Sequence, residues 1–520
     1  MRLGVDVGGT HTDAVIIKGR ELIAAHKALT SDDIATGVLE AVSEVLRQSG
    51  ARPSDILMMT LGTTQFTNAV VERRALTPVG AIRIGAQSSS ALPIAAKWPE
   101  DILAATLANS AMIDGGHEYD GTPILPTDET ALGRAIQDFR AADIQAVAIT
   151  SVFSTSNPEG EQLIAARLKQ ALPNIRVSCS HELGRIGLYQ RENATLLNAA
   201  LLELSDRVVS AFQNAFSGLS LTCPLFLSQN DGTIMAADFA RQYPVFTFSS
   251  GPTNSMRGAA FLSGRSNAMV VDVGGTTSDI GMLIEGFPRP SGSAVKIGGV
   301  LTNFRMPDVL AVGIGGGSVV SPDGRSVGPQ SVGRALPEKA LVFGGDTLTA
   351  SDVAIAAGRT VFGDTTKVSD LPSTACAAAL DTIRKHLSDD IDKMKTAAGD
   401  LPLIVVGGGG FLVPDELPGI SETVRPENAG VANAIGAAFA QVSGEVDVIY
   451  TRSTRSRESA LEEAKALARE RAVNAGALEN SIQIAEIDET PMSYLAEPGA
   501  IIRVKAIGDA NIERFAGGEA

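Results

Sequence analysis

Short uninterrupted apolar runs recur along the chain, at residues 3–7, 14–17, 56–60, 145–151, 175–179, 225–228, 268–273 and 403–406. Strands covered on both faces read as such runs, whereas half-exposed strands alternate, so these segments predict a sheet or sheets with helices packed on them. Between the runs the period changes. Residues 31–48 carry Ile34, Val38, Val42 and Leu46 on one face of a predicted helix, opened by Ser31, Asp32 and Asp33. Residues 127–141 and 159–172 repeat that pattern. Strands alternating with amphipathic helices predict an α/β fold. Past residue 446 the texture shifts to a charged, Ala-rich helix at 456–475 and a strand pair at 482–487 and 501–507, a small α+β appendix. No low-complexity linker separates the blocks, which predicts domains packed closely around a cleft.

One pattern occurs twice. VDVGGTHTDAV at 5–15 and VDVGGTTSDIGML at 271–283 each hold an apolar strand, an aspartate, a Gly-Gly-Thr turn and a second apolar strand, the order of a β-hairpin. Glycines without Cβ let the main chain approach a bulky anion, and their N–H groups with those of the following threonine converge on phosphate oxygens. The phosphate candidates are therefore Gly8, Gly9, Thr10 and Thr12 in the first copy, and Gly274, Gly275, Thr276 and Thr277 in the second. Asp6 and Asp272 end the first strands, close to those phosphates. Such a position suits a divalent cation or a water being deprotonated between carboxylate and phosphate, so both are metal and catalytic candidates. A single copy reads equally well as a tight turn. Two copies, each heading one half of the protein, point to a nucleotide tail and its Mg²⁺ gripped from both sides. Asp13 and Asp279, after the turns, either join the site or cap the hairpins. A third glycine cluster, Gly407, Gly408, Gly409 and Gly410, follows a buried run. Its bare backbone suits a flat base and ribose, or close packing on a neighbouring strand.

Composition narrows the classes. A chain of 520 residues exceeds one ordinary core, so two or three domains are expected. No apolar run reaches the eighteen or so residues of a membrane span, and residues 1–6 lack a secretory pattern, which predicts a cytoplasmic protein. Cys179, Cys223 and Cys376 lack metal-ligand spacing and read as structural thiols. A net charge of −16 argues against nucleic acid, since few cations displace counterions. Local anion sites built from backbone amides need no basic residue and remain open.

Order along the chain then carries a resemblance. A phosphate hairpin, a second phosphate hairpin and a glycine-rich strand end, in that sequence, resemble the fold of actin, sugar kinases and heat-shock ATPases. Within that superfamily the chain is similar to the hydantoinase A/5-oxoprolinase family. LGTTQFTNAVVER at 61–73, DGGHEYDG at 114–121, SHELGRIGLYQRENATLLNA at 180–199, SSGPTNSMRGA at 249–259, VGIGGGSVV at 312–320, VGPQSVG at 327–333 and LTASDVAIAAGR at 348–359 carry it beside the two hairpins. Where relatives continue the VGP segment with an acidic, Pro- and Cys-containing run, this chain reads RALPEKALVFGGD.

The resemblance implies two ribonuclease H-like (actin-like ATPase) domains flanking a nucleotide cleft, at 1–190 and 191–445, with the appendix at 446–520. It implies ATP and Mg²⁺ as cofactors and the ATP-driven opening of a cyclic amide such as a hydantoin or 5-oxoproline. A second, hydantoinase B-like subunit is the implied partner, with homo-oligomerisation left open. A small-molecule kinase, the ATP-using subunit of a ketone carboxylase and an actin-like regulatory ATPase are the alternatives; clustered cysteines for an iron–sulfur regulator are missing. On the substrate side, Thr63, Thr64 and Asn68 form a polar turn or the start of a helix at 65–74. His117 sits with Glu118 and Asp120 in a glycine-flanked loop that reads as a turn, a substrate loop or a metal site. His181, Glu182, Arg185 and Arg191 form an anion-binding edge or helix-opening charges. Gly316, in the run 315–317, shapes the cleft or packs within it.

Overall fold

The computed structural model describes residues 1–9, 11–30, 34–183, 185–292, 294–396, 398–451, 455–492 and 499–516. Ser31, Asp32 and Asp33, the expected helix opening, lie outside them, as does Thr10.

The first apolar runs become Arg2–Val7 and His11–Lys18, an antiparallel hairpin in which Asp6 lies opposite Asp13. Glu21–Leu29 pairs with the outer strand of that hairpin, and Met58–Thr63 runs parallel to its inner strand. The repeat folds the same way. Ala268–Val273 and Ser278–Ile284 form a hairpin with Asp272 opposite Asp279; Val309–Val312 flanks its outer strand, and Leu401–Val406 runs parallel to the inner one. Each lobe thus carries a ribonuclease H-like sheet, and the two hairpins are structural counterparts. The turns match in detail: the Gly8 N–H donates to the His11 carbonyl at 3.0 Å, and the Gly274 N–H to the Thr277 carbonyl at 2.9 Å.

The first sheet grows to nine strands. Leu225–Ser228 lies parallel to Met58–Thr63, followed by Ile234–Ala236 and then Val442–Thr451. The first lobe therefore continues past residue 190, and the chain returns to it at residue 442. The carboxyl-terminal helix Arg457–Asn474 and the antiparallel strands Gln483–Pro491 and Gly499–Gly508 build onto this same sheet, through Val442–Thr451. Residues 79–179 form an inserted module, a four-stranded parallel sheet of Leu107–Ile113, Val79–Ile84, Ala146–Ser151 and Arg176–Cys179 with its own core around Phe139 and Ile149.

Two helices join the lobes. Ser250–Ser263 and Ala432–Phe439 cross with backbones nearly touching: a Cβ on Gly258 would stand 1.9 Å from the Ala432 carbonyl oxygen, and one on Gly436 1.9 Å from that of Asn254. Ala434, Ile435 and Ala438 pack on Val15 and Ile17 of the first lobe. Met256, Ala259 and Ala432 pack on Val270 and Val406 of the second. The pair forms the floor of the cleft, and its polar residues reach both sheets.

Candidate functional site

Asp6 ends its strand 5% exposed, with Oδ1 accepting from Asn254 Nδ2 at 3.0 Å and Oδ2 from Asn433 Nδ2 at 3.3 Å. The other face of Asn433 receives the Ser255 hydroxyl, which also contacts Asp272 Oδ2. A chain of polar contacts, Asp6–Asn433–Ser255–Asp272, therefore spans the lobe junction on residues of the two crossing helices. Each aspartate needs a glycine beside it, within the parallel strand for Asp6 and one residue past it for Asp272. A Cβ on Gly62 would lie 2.1 Å from Asp6 Oδ1, and one on Gly407 2.2 Å from Asp272 Oδ1. Gly407 also has φ +84°, a region that favours glycine.

Four carboxylates share this space. Burial pushes the Asp6 carboxyl up to about 6, with Asp13 and Asp272 adding to the rise against the Asn254 and Asn433 amides. Burial, then Asp272, raises Asp279 to about 7. Asp272 is raised by burial, opposed by the Ser255 hydroxyl and by Lys27 from the other lobe. Asp13 is raised by burial against Lys27, whose Nζ sits 2.5 and 2.7 Å from its two oxygens. The contacts from Asp6 through Asn433 and Ser255 to Asp272 link the ends of the two hairpins. Clustered carboxylates with a single lysine are a hard, anionic donor set that fits a divalent cation such as Mg²⁺ rather than a thiolate- or imidazole-seeking metal. Asp6 and Asp272, at the ends of the two inner strands, are the residues that could hold one.

The turns themselves are held from behind. The Thr30 hydroxyl donates to the Gly8 carbonyl at 2.9 Å, and Thr12, which is buried, meets Thr30 at 3.3 Å, so its hydroxyl props the turn from within. In the second lobe the Gly316 and Gly317 N–H groups donate to the Gly274 and Gly275 carbonyls at 3.0 and 2.7 Å. Ser351 in turn donates to the Gly316 carbonyl at 2.8 Å. Gly9, Thr276 and Thr277 are exposed at the turn tips. Gly407 and Gly409 pack on the second hairpin, the Gly409 N–H donating to the Val273 carbonyl at 2.8 Å, while Gly408 has open space where a side chain would be and Gly410 opens a short 3₁₀ turn.

Other expected residues fall elsewhere. Thr63 is buried beyond Gly62, and Thr64 precedes the helix Gln65–Glu72, two residues shorter than expected because Arg73 turns left-handed; Asn68 reaches back to Thr64 at 3.5 Å. His117 sits in the inserted module, with Nε2 3.9 Å from Glu159. Arg191 is buried and donates to the Ser151 carbonyl and Ser180 hydroxyl, tying the module to the long helix Leu188–Gly218, and His181, on the short helix Ser180–Leu183, meets buried Glu161 of the module at 2.6 Å. Asn254 and Ser255 lie within SSGPTNSMRGA, a segment that carries the resemblance but assigns neither residue a role, and Asn433 lies in none of those segments. Gly62, a glycine ending an apolar run, is the kind of signal that marks close approach.

Two facing ribonuclease H-like lobes with carboxylate-ended hairpins over a shared helical floor define the actin-like ATPase class of fold. Residues 2–172 match the model of the hydantoinase/oxoprolinase N-terminal region and residues 191–362 that of hydantoinase/oxoprolinase. The chain belongs to the hydantoinase/oxoprolinase family. It is 28% identical over 430 residues to the caprolactamase α subunit of Pseudomonas jessenii, covering 78% of this chain and 61% of that protein. It is 24% identical over 389 residues to the acetophenone carboxylase γ subunit of Aromatoleum aromaticum, covering 68% and 53%. The chain thus spans between about half and three fifths of the curated relatives it matches. Among solved structures, the ATP-dependent caprolactamase of P. jessenii superposes with a TM-score of 0.75 at 20% identity over 99% of this chain and 88% of that one. Nucleotide-free acetone carboxylase gives 0.68 at 19% identity over 98% and 88%. At such identities the likeness is one of fold. Among the described residues, no helix is long and apolar enough to cross a membrane.

Proposed function

We propose that this chain binds ATP between the two hairpin turns and phosphorylates the carbonyl oxygen of a small cyclic amide, so that the ring opens with release of ADP and phosphate. The observation that carries this reading is the pair of facing, carboxylate-ended hairpins joined by the Asp6–Asn433–Ser255–Asp272 chain, in a family that includes a caprolactamase subunit. A lactam carbonyl is resonance-stabilised and resists water. Attack of its oxygen on the γ-phosphorus expels ADP and leaves an electrophilic carbon. Water adds there, the ring nitrogen departs as an amine with a proton, and a second water releases phosphate from the acyl phosphate. The N–H groups of Gly9, Gly275, Thr276 and Thr277 bind the phosphates, while those of Gly8 and Gly274 close the two turns that present them. Gly408 offers its open face to the adenosine, flanked by Gly407, Gly409 and Gly410. Asp6 and Asp272 would hold Mg²⁺, which would offset phosphate charge, while the Asn254 and Asn433 amides orient the Asp6 carboxylate and the Ser255 hydroxyl that of Asp272.

A second polypeptide completes hydrolysis in this reading, as the subunit designations of its relatives suggest. The rival is the ATP-using subunit of a ketone carboxylase, favoured by the similarity to the acetophenone carboxylase γ subunit. Phosphate release in the presence of Mg·ATP and a panel of lactams, hydantoins and ketones tests both. Lactam-stimulated release is expected; stimulation by ketone with bicarbonate alone favours the carboxylase, and phosphate retained on an organic product favours a kinase. Asp272→Asn is expected to reduce turnover at least a hundredfold with the fold intact by circular dichroism, and unchanged turnover rejects its role.

A further inference from the structure

Three neighbouring strands of the first lobe each bring one charged side chain to the same face. Asp6 on Arg2–Val7 lies opposite Asp13 on His11–Lys18, and Asp13 lies opposite Lys27 on Glu21–Leu29. Residues directly opposite on adjacent strands share a face. That face looks onto the cleft floor, since Val15 and Ile17, two and four residues past Asp13, pack on the helix Ala432–Phe439. Adjacent strands stand about 5 Å apart, so the lysine stem reaches back over the outer hairpin strand toward Asp6. Lys27 Nζ comes to rest 2.5 and 2.7 Å from the two Asp13 oxygens. Those contacts use two of the three ammonium hydrogens. The Asp13 side chain is 8% exposed, whereas that of Lys27 keeps 34%. The carboxylate anchors the ammonium, and the third N–H is left for an acceptor that arrives from solvent.

Cations are scarce here. Among the described residues, Asp6, Asp272 and Asp279 have no ion-pair partner, and Lys27 is the cation that joins the group, through Asp13. The matching position in the second lobe, opposite Asp279, is Ala311. His11, two residues nearer the turn than Asp13, is uncharged at neutral pH, because burial and then the Lys27 charge lower its pKa below the ordinary imidazole range. Burial raises Asp272 of the other lobe, and Lys27 opposes that rise after the Ser255 hydroxyl. Its charge is thus felt in both lobes.

A nucleotide placed as above has a direction. Gly407 and Gly409 pack on the second hairpin, so an adenosine on Gly408 lies against the second lobe, and its inner phosphates meet the turn at 274–277. The phosphate chain then ends at the first lobe, where the cation is. Charge on the transferring phosphate is what a phosphoryl-transfer site has to stabilise, and ADP lacks that phosphate.

We propose that Lys27, steadied by Asp13, donates to the terminal phosphate of ATP and is the catalytic cation of the first lobe. The assignment rests on the nucleotide reading above and adds to it a side chain that distinguishes ATP from ADP. Lysine suits the task as a compact point charge that binds phosphate without a fixed fork geometry. A cross-strand ion pair with a structural role alone would steady the sheet and treat both nucleotides alike.

The test is nucleotide binding by the full chain with Mg²⁺, measured calorimetrically for a non-hydrolysable ATP analogue and for ADP, in the unsubstituted protein and in Lys27→Gln. The substitution should weaken the analogue at least tenfold more than it weakens ADP. Equal weakening of both nucleotides, or weakening of neither, overturns the assignment and leaves the nucleotide cleft standing. If Lys27→Gln fails to fold by circular dichroism, acetylation footprinting of the unsubstituted protein decides. Lys27 protected by the Mg²⁺-bound analogue but not by Mg·ADP supports the contact; equal protection by both, or by neither, overturns it. An unsubstituted protein that binds neither nucleotide overturns this assignment together with the reading beneath it. Lactam-stimulated phosphate release is a separate readout: its absence with the ATP-selective effect intact rejects the proposed reaction and supports Lys27 on the phosphate.

Discussion

The two lobes repeat each other down to single residues, and where they stop doing so the charge balance changes. Asp13 lies opposite Lys27 on the neighbouring strand, and the two form an ion pair. In the second lobe the matching position opposite Asp279 is Ala311, and no cation pairs with Asp279 among the described residues. Burial and Asp272 then raise its carboxyl to about 7. An unfolded aspartate ionises near 3.9. Between those values the native state keeps a proton that the unfolded chain has lost, so stability falls as pH rises from about 4 through 7 and levels above. In protein free of divalent cations, the urea midpoint should correspond to about 1–2 kcal/mol less stability at pH 7.5 than at pH 5, allowing for partial exposure. Asp279→Asn should remove the larger share of that slope and leave the share from Asp6, and Ala311→Lys should act in the same direction by restoring the counter-ion of the first lobe. A slope unchanged in both variants would falsify this assignment of the titrating group.

At the scale of elements, what the sequence made visible depended on how a segment is buried. Leu225–Ser228 and Ala268–Val273 were legible to the residue because strands covered on both faces are unbroken apolar runs. Glu21–Leu29 was not, since an edge strand reading ELIAAHKAL mixes exposed and buried positions. The long helix Leu188–Gly218 was hidden by its own interior, where Arg191, Glu192, Asn193 and Asn198 are buried among partners that lie far off in sequence. The site divides likewise. Asp6, Asp272 and their turns announced themselves by repetition, whereas Asn254, Ser255 and Asn433 are single polar residues on Ala- and Gly-rich helices whose meaning appears only when the helices cross. That crossing depends on Gly258 and Gly436. Gly436→Ala forces a methyl into the Asn254 carbonyl, and about 1–3 kcal/mol of stability should be lost as the helices part. Since the same helices carry Asn254 and Asn433, ATP turnover should fall with it. An unchanged urea midpoint would mean that the helices are not in backbone contact.

For the whole molecule the consequence is a pincer with a narrow range of movement. The crossing helices belong to both cores, Ala434 and Ala438 to the first lobe and Met256 and Ala259 to the second, so large sliding between lobes would open both cores at once. Rotation about the crossing costs less, because it moves the turn tips while the packed alanines and glycines stay in register. The tips are exposed at Gly9, Thr276 and Thr277, and each is braced from behind, by Thr30 in one lobe and by Gly316, Gly317 and Ser351 in the other. A triphosphate that bridges them has to engage both turns in the same event, since neither turn alone offers donors to both sides of the phosphate chain. Hydrogen exchange of the full chain with Mg²⁺ and a non-hydrolysable ATP analogue should therefore slow several-fold at residues 8–9 and at 274–277 together, with one shared dependence on nucleotide concentration. Asp6→Asn should weaken protection at the second-lobe turn as well as the first, because the polar chain through Asn433 and Ser255 links them. Protection confined to one turn, or two turns that saturate at different concentrations, would separate the lobes as binding surfaces and remove the basis for a shared nucleotide.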